Sequence, residues 1–71
     1  MDFKQGDKIE QLSCGKHAAF FLVLETEKVK DGELNALLYQ TNSEESDYEK
    51  RIHWWRLINH SNISWRKVIS E

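Results

Sequence analysis

The sequence has no proline, a single cysteine, and no apolar run longer than the seven residues Ala18–Leu24. A lone cysteine, Cys14, excludes a disulfide within the chain and is typical of a reducing compartment. Seven apolar residues are too few to span a bilayer, and Met1–Asp7 lacks the apolar stretch of a signal peptide. We therefore expect a cytoplasmic protein without a membrane segment.

Motifs for catalysis and cofactor binding are also scarce. The three glycines are far apart and form no phosphate-binding loop. Cys14 and His17 have the spacing of metal ligands, and His53 and His60 are candidates to complete a set. However, six residues separate those two histidines, so on one strand they would point to opposite faces, whereas structural zinc sites usually show two tight pairs. We expect no enzyme activity, no metal and no cofactor.

Acidic residues are absent between Lys50 and Ser70, whereas five basic residues and all three tryptophans lie there. The segment from Met1 to Glu49 holds eleven acidic residues against five lysines. A net charge of −2 therefore conceals a basic, aromatic tail behind an acidic body. Tryptophan and arginine are enriched at contact surfaces, so the tail is the first candidate for binding a partner.

The dipeptide Asp31-Gly32 predicts a tight hairpin, because a type I′ turn needs positive φ at both central residues. We expect residues 18–29 and 34–40 to pair as antiparallel strands across it. This register places Leu24 opposite Tyr39 and collects Leu22, Leu24, Leu37 and Tyr39 on one apolar face. The predicted core holds those four residues, Phe21 or Phe20, Leu57 or Ile58, and one of Trp54 and Trp55.

Three further strands are predicted, near Lys8–Leu12, Arg51–Ile58 and Trp65–Ile69, and the residues from Thr41 to Glu49 form a polar acidic loop. The short strands and connections predict an all-β chain, folded as a single domain over residues 1–71 into a small antiparallel barrel of four or five strands. The ends of the chain resemble those of SH3-like barrels, through the opening Phe3-Lys4-Gln5-Gly6-Asp7-Lys8-Ile9 and the closing Trp65-Arg66-Lys67-Val68. The resemblance implies a binding module for protein or nucleic acid.

Alternation along the fourth predicted strand separates Trp54 from Trp55, since consecutive residues point to opposite faces. The face with Ile52, Trp54 and Ile58 is the more continuously aliphatic, so we expect Trp54 inside and Trp55 outside. The resulting candidate binding residues are Arg51, His53, Trp55, Arg56, Trp65, Arg66 and Lys67.

The three tryptophans could all be structural, since a small core needs large side chains, and two partner classes remain open for these residues. The first is another protein, with the chain acting as a small regulator or inhibitor, and self-association into a homodimer would also support so small a core. The second is nucleic acid, with tryptophan stacking on a base and arginine binding phosphate. The acidic body disfavours the second class, because it would repel a phosphate backbone.

Overall fold

The computed structural model describes residues 3–30, 33–58 and 62–68. They form one sheet of five antiparallel strands in the order β4-β3-β2-β1-β5. The strands are β1 (Lys8–Ser13), β2 (Lys16–Lys30), β3 (Glu33–Gln40), β4 (Ile52–Leu57) and β5 (Ile63–Lys67). A short 3-10 helix, Tyr48–Arg51, leads into β4. The predicted all-β fold is confirmed.

Strands β4 and β5 lie at the two edges of the sheet and, within the described residues, do not pair with each other. The sheet is therefore not closed, and we call the gap between β4 and β5 the seam. The open sheet is compatible with a small SH3-like fold. No helix among the described residues is long and apolar enough to cross a membrane.

Strand β3 lies between β2 and β4, and its side chains alternate between a buried inner face and a more exposed outer face of the sheet. Leu34, Ala36 and Leu38 are buried and point to the inner face, whereas the residues between them are only half-buried. The inner face carries the core, which consists of Ile9, Ala19, Phe21, Val23, Leu34, Ala36, Leu38, Leu57 and Trp65. Every strand contributes to this core, which a chain of this size needs for stability.

The predicted hairpin is confirmed, since β2 and β3 pair antiparallel and Lys30 lies opposite Glu33 as expected. Its turn, Asp31-Gly32, lies outside the described residues. The register differs beyond the turn because β2 has irregularities between Lys28 and Lys30 and between Val23 and Glu25. Each adds one residue to β2 without a partner on β3. Tyr39 consequently pairs with Leu22 rather than with Leu24.

The predicted core is correct at Phe21 and Leu57 and wrong for the apolar face of the hairpin. Leu22, Leu37 and Tyr39 are half-buried on the outer face, and the mixed face that carries Leu34, Ala36 and Leu38 is the buried one. Leu24 is likewise only half-buried and has no partner in the register with β3. Each face of β3 carries two large apolar side chains, Leu34 and Leu38 on one and Leu37 and Tyr39 on the other, so hydrophobicity alone did not decide between them.

Cys14 and Gly15 form the two-residue turn between β1 and β2, with Ser13 opposite Lys16. Both turn residues have positive φ, 52° at Cys14 and 78° at Gly15. This is the pattern of a type I′ hairpin, which favours asparagine, aspartate or glycine. The cysteine is exposed and its backbone N–H donates to the carbonyl of Asn62, 2.6 Å away. Cys14 therefore adopts a strained backbone conformation, and its exposed side chain does not pack in the core.

Strand β5 pairs with β1, and this pairing brings the end of the chain to its beginning. Glu10 is buried on the outer face, where its carboxylate accepts from Arg66 Nε and from His17 Nδ1, each at 2.6 Å. The hydrogen bond from Arg66 and then that from His17 hold the pKa of Glu10 below its ordinary value. A second ion pair joins Lys67 to Asp7 at 3.4 Å. These contacts connect the basic tail to the acidic body.

The first prediction tests the inner and outer faces of β3 with neighbouring leucines. Leu38→Ala removes a fully buried side chain and should lower the free energy of unfolding by about 2–5 kcal/mol. Leu37→Ala removes a half-buried side chain from the outer face and should cost less than half as much. Urea denaturation in dilute solution measures both values. An equal loss for the two variants would contradict the assignment of the core to the inner face.

The second prediction concerns acid stability. Because the pKa of Glu10 is lowered in the folded state, its contribution is complete above the unfolded pKa of about 4.3 and is lost as the pH falls through the folded value. Glu10→Gln should therefore flatten the fall of the unfolding free energy in acid. The exposed Glu44 provides the control, since Glu44→Gln should leave the slope unchanged. A wild-type slope in Glu10→Gln would disprove the role of the cluster.

The third prediction uses the positive φ of Cys14. Cys14→Asn should raise the melting temperature, because asparagine tolerates this backbone conformation better than cysteine. Cys14→Val should lower it, since a β-branched residue is strongly disfavoured there. Thermal unfolding under reducing conditions compares the two variants with the wild type. The opposite order of melting temperatures would show that the side chain, not the turn, determines the effect.

Candidate protein-binding surface

The outer face of strands β2, β3 and β4 carries a continuous group of apolar side chains. The pairing sets them in register: Leu22 lies opposite Tyr39, Tyr39 opposite Ile52, and Leu37 opposite Trp54. Directly paired residues point to the same face of a sheet. We call this group, together with the neighbouring Tyr48, the outer patch; it comprises Leu22, Leu37, Tyr39, Tyr48, Ile52 and Trp54.

Trp54 is the most informative residue of the outer patch. It lies in the middle of β4, a regular strand, yet 52% of its surface is exposed. Leu37 is its cross-strand partner, and Ile52 lies two residues before it on the same face. A large aromatic side chain held on a rigid strand loses little conformational entropy on binding, which suits it to anchor a partner.

Tyr48 extends the patch from the 3-10 helix. Asp47 caps this helix by accepting from the backbone N–H of Glu49 at 3.1 Å. The ring of Tyr48 stacks at 4.9 Å on that of Tyr39 and remains 57% exposed. The cap and the ring contact therefore hold an exposed phenol at a defined place beside β3.

Charges of opposite sign border the outer patch on its two sides. Glu25 pairs with Leu37 and Glu27 pairs with Asn35, so both carboxylates lie on the outer face along β2. Arg56 also pairs with Asn35, from the other side, and is exposed along β4. A row across the sheet thus reads Glu27, Asn35, Arg56. The surface is apolar at its centre and polar at its rim, as protein interfaces are.

Trp55 does not lie on the exposed face that the sequence predicted for it, and Trp65, another candidate binding residue, is not exposed either. Trp55 is half-buried and packs against the core, and Trp65 is buried. Their rings meet edge to face at 5.6 Å, and both contact Phe21. The predicted orientation of Trp54 and Trp55 is therefore wrong: Trp55 points inward and Trp54 outward. The two inner tryptophans, with Arg56 at the rim, line an open cleft of about 280 Å³ near the seam.

Arg51 and His53 are fixed by the backbone around the acidic loop. Arg51 donates from Nε to the carbonyl of Gln40 and from Nη2 to that of Thr41, each at 3.0 Å. Its guanidinium also lies 4.6 Å from the centre of the Tyr39 ring. His53 Nε2 lies 2.9 Å from the carbonyl oxygen of Lys50 and donates to it when it carries the proton. Both residues fix the chain that presents Tyr48 and Trp54.

Arg66 and Lys67 are neighbours on β5. Strands β1 and β2 lie between β5 and β3, so these two residues are separated from the residues of the outer patch on β3 and β4. Their ion pairs with Glu10 and Asp7 balance their charges within the chain. They border an open cleft of about 370 Å³ with Phe20 and Val68. The predicted basic surface is thus divided among three places, and the structure does not bring its seven residues together.

The candidate metal-binding residues are also apart. His17 uses Nδ1 to donate to Glu10, and its Nε2 lies 3.5 Å from the side-chain nitrogen of Asn42. Cys14 is on the exposed turn, and His60 lies outside the described residues. No group of three or more His, Cys, Asp or Glu among residues 3–30, 33–58 and 62–68 is arranged to hold a metal ion.

Sequence reasoning missed Trp54 and Tyr48 although one signal was present. Trp54 shares its face with Arg56, and an arginine two residues along an edge strand indicates the solvent side. Leu57 shares its face with Trp55 and marks the inner side, where it is fully buried. The aliphatic residues Ile52 and Ile58 suggested the opposite because they lie at the two ends of the strand, where burial depends on the loops.

Comparison with known proteins supplies no further assignment. No protein-family model matches the chain, and no curated protein or solved structure matches it.

Proposed function

We propose that this chain is a non-catalytic binding module that contacts another protein through the outer patch. The observation that carries the proposal is the exposure of Trp54 in the middle of a regular strand, beside Leu37 and Ile52. Leaving such a side chain in water gives up the stabilisation of about 1.5–3 kcal/mol that burying a large apolar group supplies. Contact with a partner protein recovers it.

Charge favours protein over nucleic acid as the partner. Glu25 and Glu27 lie on the same face as Trp54 and would repel phosphates that approach it. Two of the five basic residues of the tail, Arg66 and Lys67, are already paired with carboxylates. Arg51 is engaged with backbone carbonyls. Few cations are left to bind a phosphate backbone.

Nucleic acid is the second candidate because Arg56 lies two residues from Trp54 on the same face. An indole beside a guanidinium can stack on an unpaired base and bind its phosphate. Binding of this kind would weaken steeply with salt, whereas a patch with apolar contacts would depend on salt only weakly.

The proposal also includes a cellular compartment and a mode of action for the module. A reducing, cytoplasmic location fits the exposed and unpaired Cys14. A small chain without catalytic machinery acts by occupying a surface of its partner, which is how a regulator or inhibitor works.

The fourth prediction tests the patch by crosslinking in native cells. Tyr48 is replaced by a photoreactive phenylalanine analogue, which fits an exposed aromatic position, and Val29, exposed at the far end of β2, is the control position. Irradiation should give protein adducts from position 48 and few from position 29. Adducts that disappear with nuclease would assign the patch to nucleic acid instead.

Binding measurements then follow with the captured protein. Trp54→Ala should weaken the affinity at least about tenfold, because removal of a central aromatic anchor costs about 2 kcal/mol or more. Its melting temperature should stay close to that of the wild type, whereas Trp55→Ala should lower it markedly. Unchanged affinity in Trp54→Ala, measured by calorimetry, would refute the proposed surface.

A further inference from the structure

The pattern of charge around the outer patch points to a particular partner, and we infer that this partner is a second copy of the same chain. This inference rests on the proposed function, since it uses the same surface. Two copies would pack their outer faces together about a twofold axis that runs along β3. Such an interface uses one surface twice, so its features must be complementary to themselves.

The three rows across the outer face meet this requirement. The first row is Leu22, Tyr39 and Ile52, the second is Glu25, Leu37 and Trp54, and the third is Glu27, Asn35 and Arg56. A twofold axis along β3 keeps each row level with itself and exchanges β2 with β4. Side chains of β2 in one copy then face those of β4 in the other, at the spacing of about 10 Å between packed sheets.

This exchange matches the chemistry in every row. Glu27 of one copy faces Arg56 of the other, and the symmetry makes this ion pair twice. In the first row, Leu22 faces Ile52, so apolar groups meet. In the second row, Glu25 faces Trp54, whose indole N–H can donate to a carboxylate. Arg56 is exposed on an edge strand, so its side chain is able to reach the partner.

The other twofold axis in this plane does not match. An axis across the strands through the second row would place Glu25 of one copy against Glu25 of the other. It would also place Ile52 against Arg56 and Leu22 against Glu27. Like charges and apolar-to-charged contacts are unfavourable, so the axis along β3 is preferred. The arrangement also covers Trp54, which gives the thin core of a small chain additional buried surface.

Sedimentation equilibrium of the full chain over a range of concentrations tests the inference. The wild type should form a dimer, and Trp54→Ala should weaken it at least about tenfold. Glu27→Arg alone and Arg56→Glu alone should each weaken it, because each places like charges opposite one another. The melting temperatures of these variants, measured at low concentration, should remain near that of the wild type because all three positions are exposed.

Mixing the two charge variants provides the decisive measurement. The Glu27→Arg chain carries only cations at the two positions and the Arg56→Glu chain only carboxylates, so an equimolar mixture should form heterodimers although each chain alone does not. The double variant Glu27→Arg/Arg56→Glu should also recover the homodimer. The matched control is Lys28→Glu, an exposed change on β2 outside the patch, which should leave dimerisation intact.

Each other outcome overturns the inference. A wild-type chain that stays monomeric at the highest concentration has no such dimer, and a dimer that tolerates Trp54→Ala and both charge changes has its contact elsewhere. In either case the crosslinks from position 48 still report separately on the proposed function. Adducts with a different protein, from a monomeric chain, would retain the binding module and reject only the second copy as its partner.

Discussion

The pairing of β3 between β2 and β4 is the constraint on which the rest of the structure depends. Ala36 lies opposite Trp55, and Leu37 lies opposite Trp54, so the alternation of β3 assigns one tryptophan to the core and the other to solvent. Ala36 is fully buried, and its small side chain leaves space for the indole of Trp55 beside it. Leu37 is larger and lies on the other face, opposite Trp54. A shift of one residue in this register would exchange their roles.

The sequence predicts the hairpin and the all-β fold because their signals are local. Asp31-Gly32 and the alternation of β3 lie within a few residues of the contacts that they specify. The register is not local, since it depends on where β2 accommodates its two extra residues, near Leu24 and Val29. Leu24 and Val29 are ordinary apolar strand residues, so nothing in their residue types marks them as the extra positions. The wrong register then led to the wrong core face of the hairpin.

The candidate site was harder to predict than the fold for a related reason. The charge count correctly marks the segment from Lys50 to Lys67 as basic, but a count cannot tell which cations are satisfied within the chain. Glu10 and Arg66 are 56 positions apart and meet only because β5 pairs with β1. Folding therefore pairs part of the positive charge within the chain, where the sequence predicted that it would bind a partner. What remains exposed is mainly aromatic, and it lies toward β4 on the outer face, whereas the ion pairs lie toward β5.

Occupation of the outer patch by a second copy would also decide whether a different protein can bind there. A second copy and a different protein would both need Trp54, and the side chain can be buried by one of them at a time. The two contacts are therefore mutually exclusive, and each molecule of chain held in a homodimer is withdrawn from the other partner. Apparent affinity for that partner would fall as the chain concentration rises above the dissociation constant of the dimer. The register of β4, by pointing one tryptophan outward, would in this way link self-association to binding.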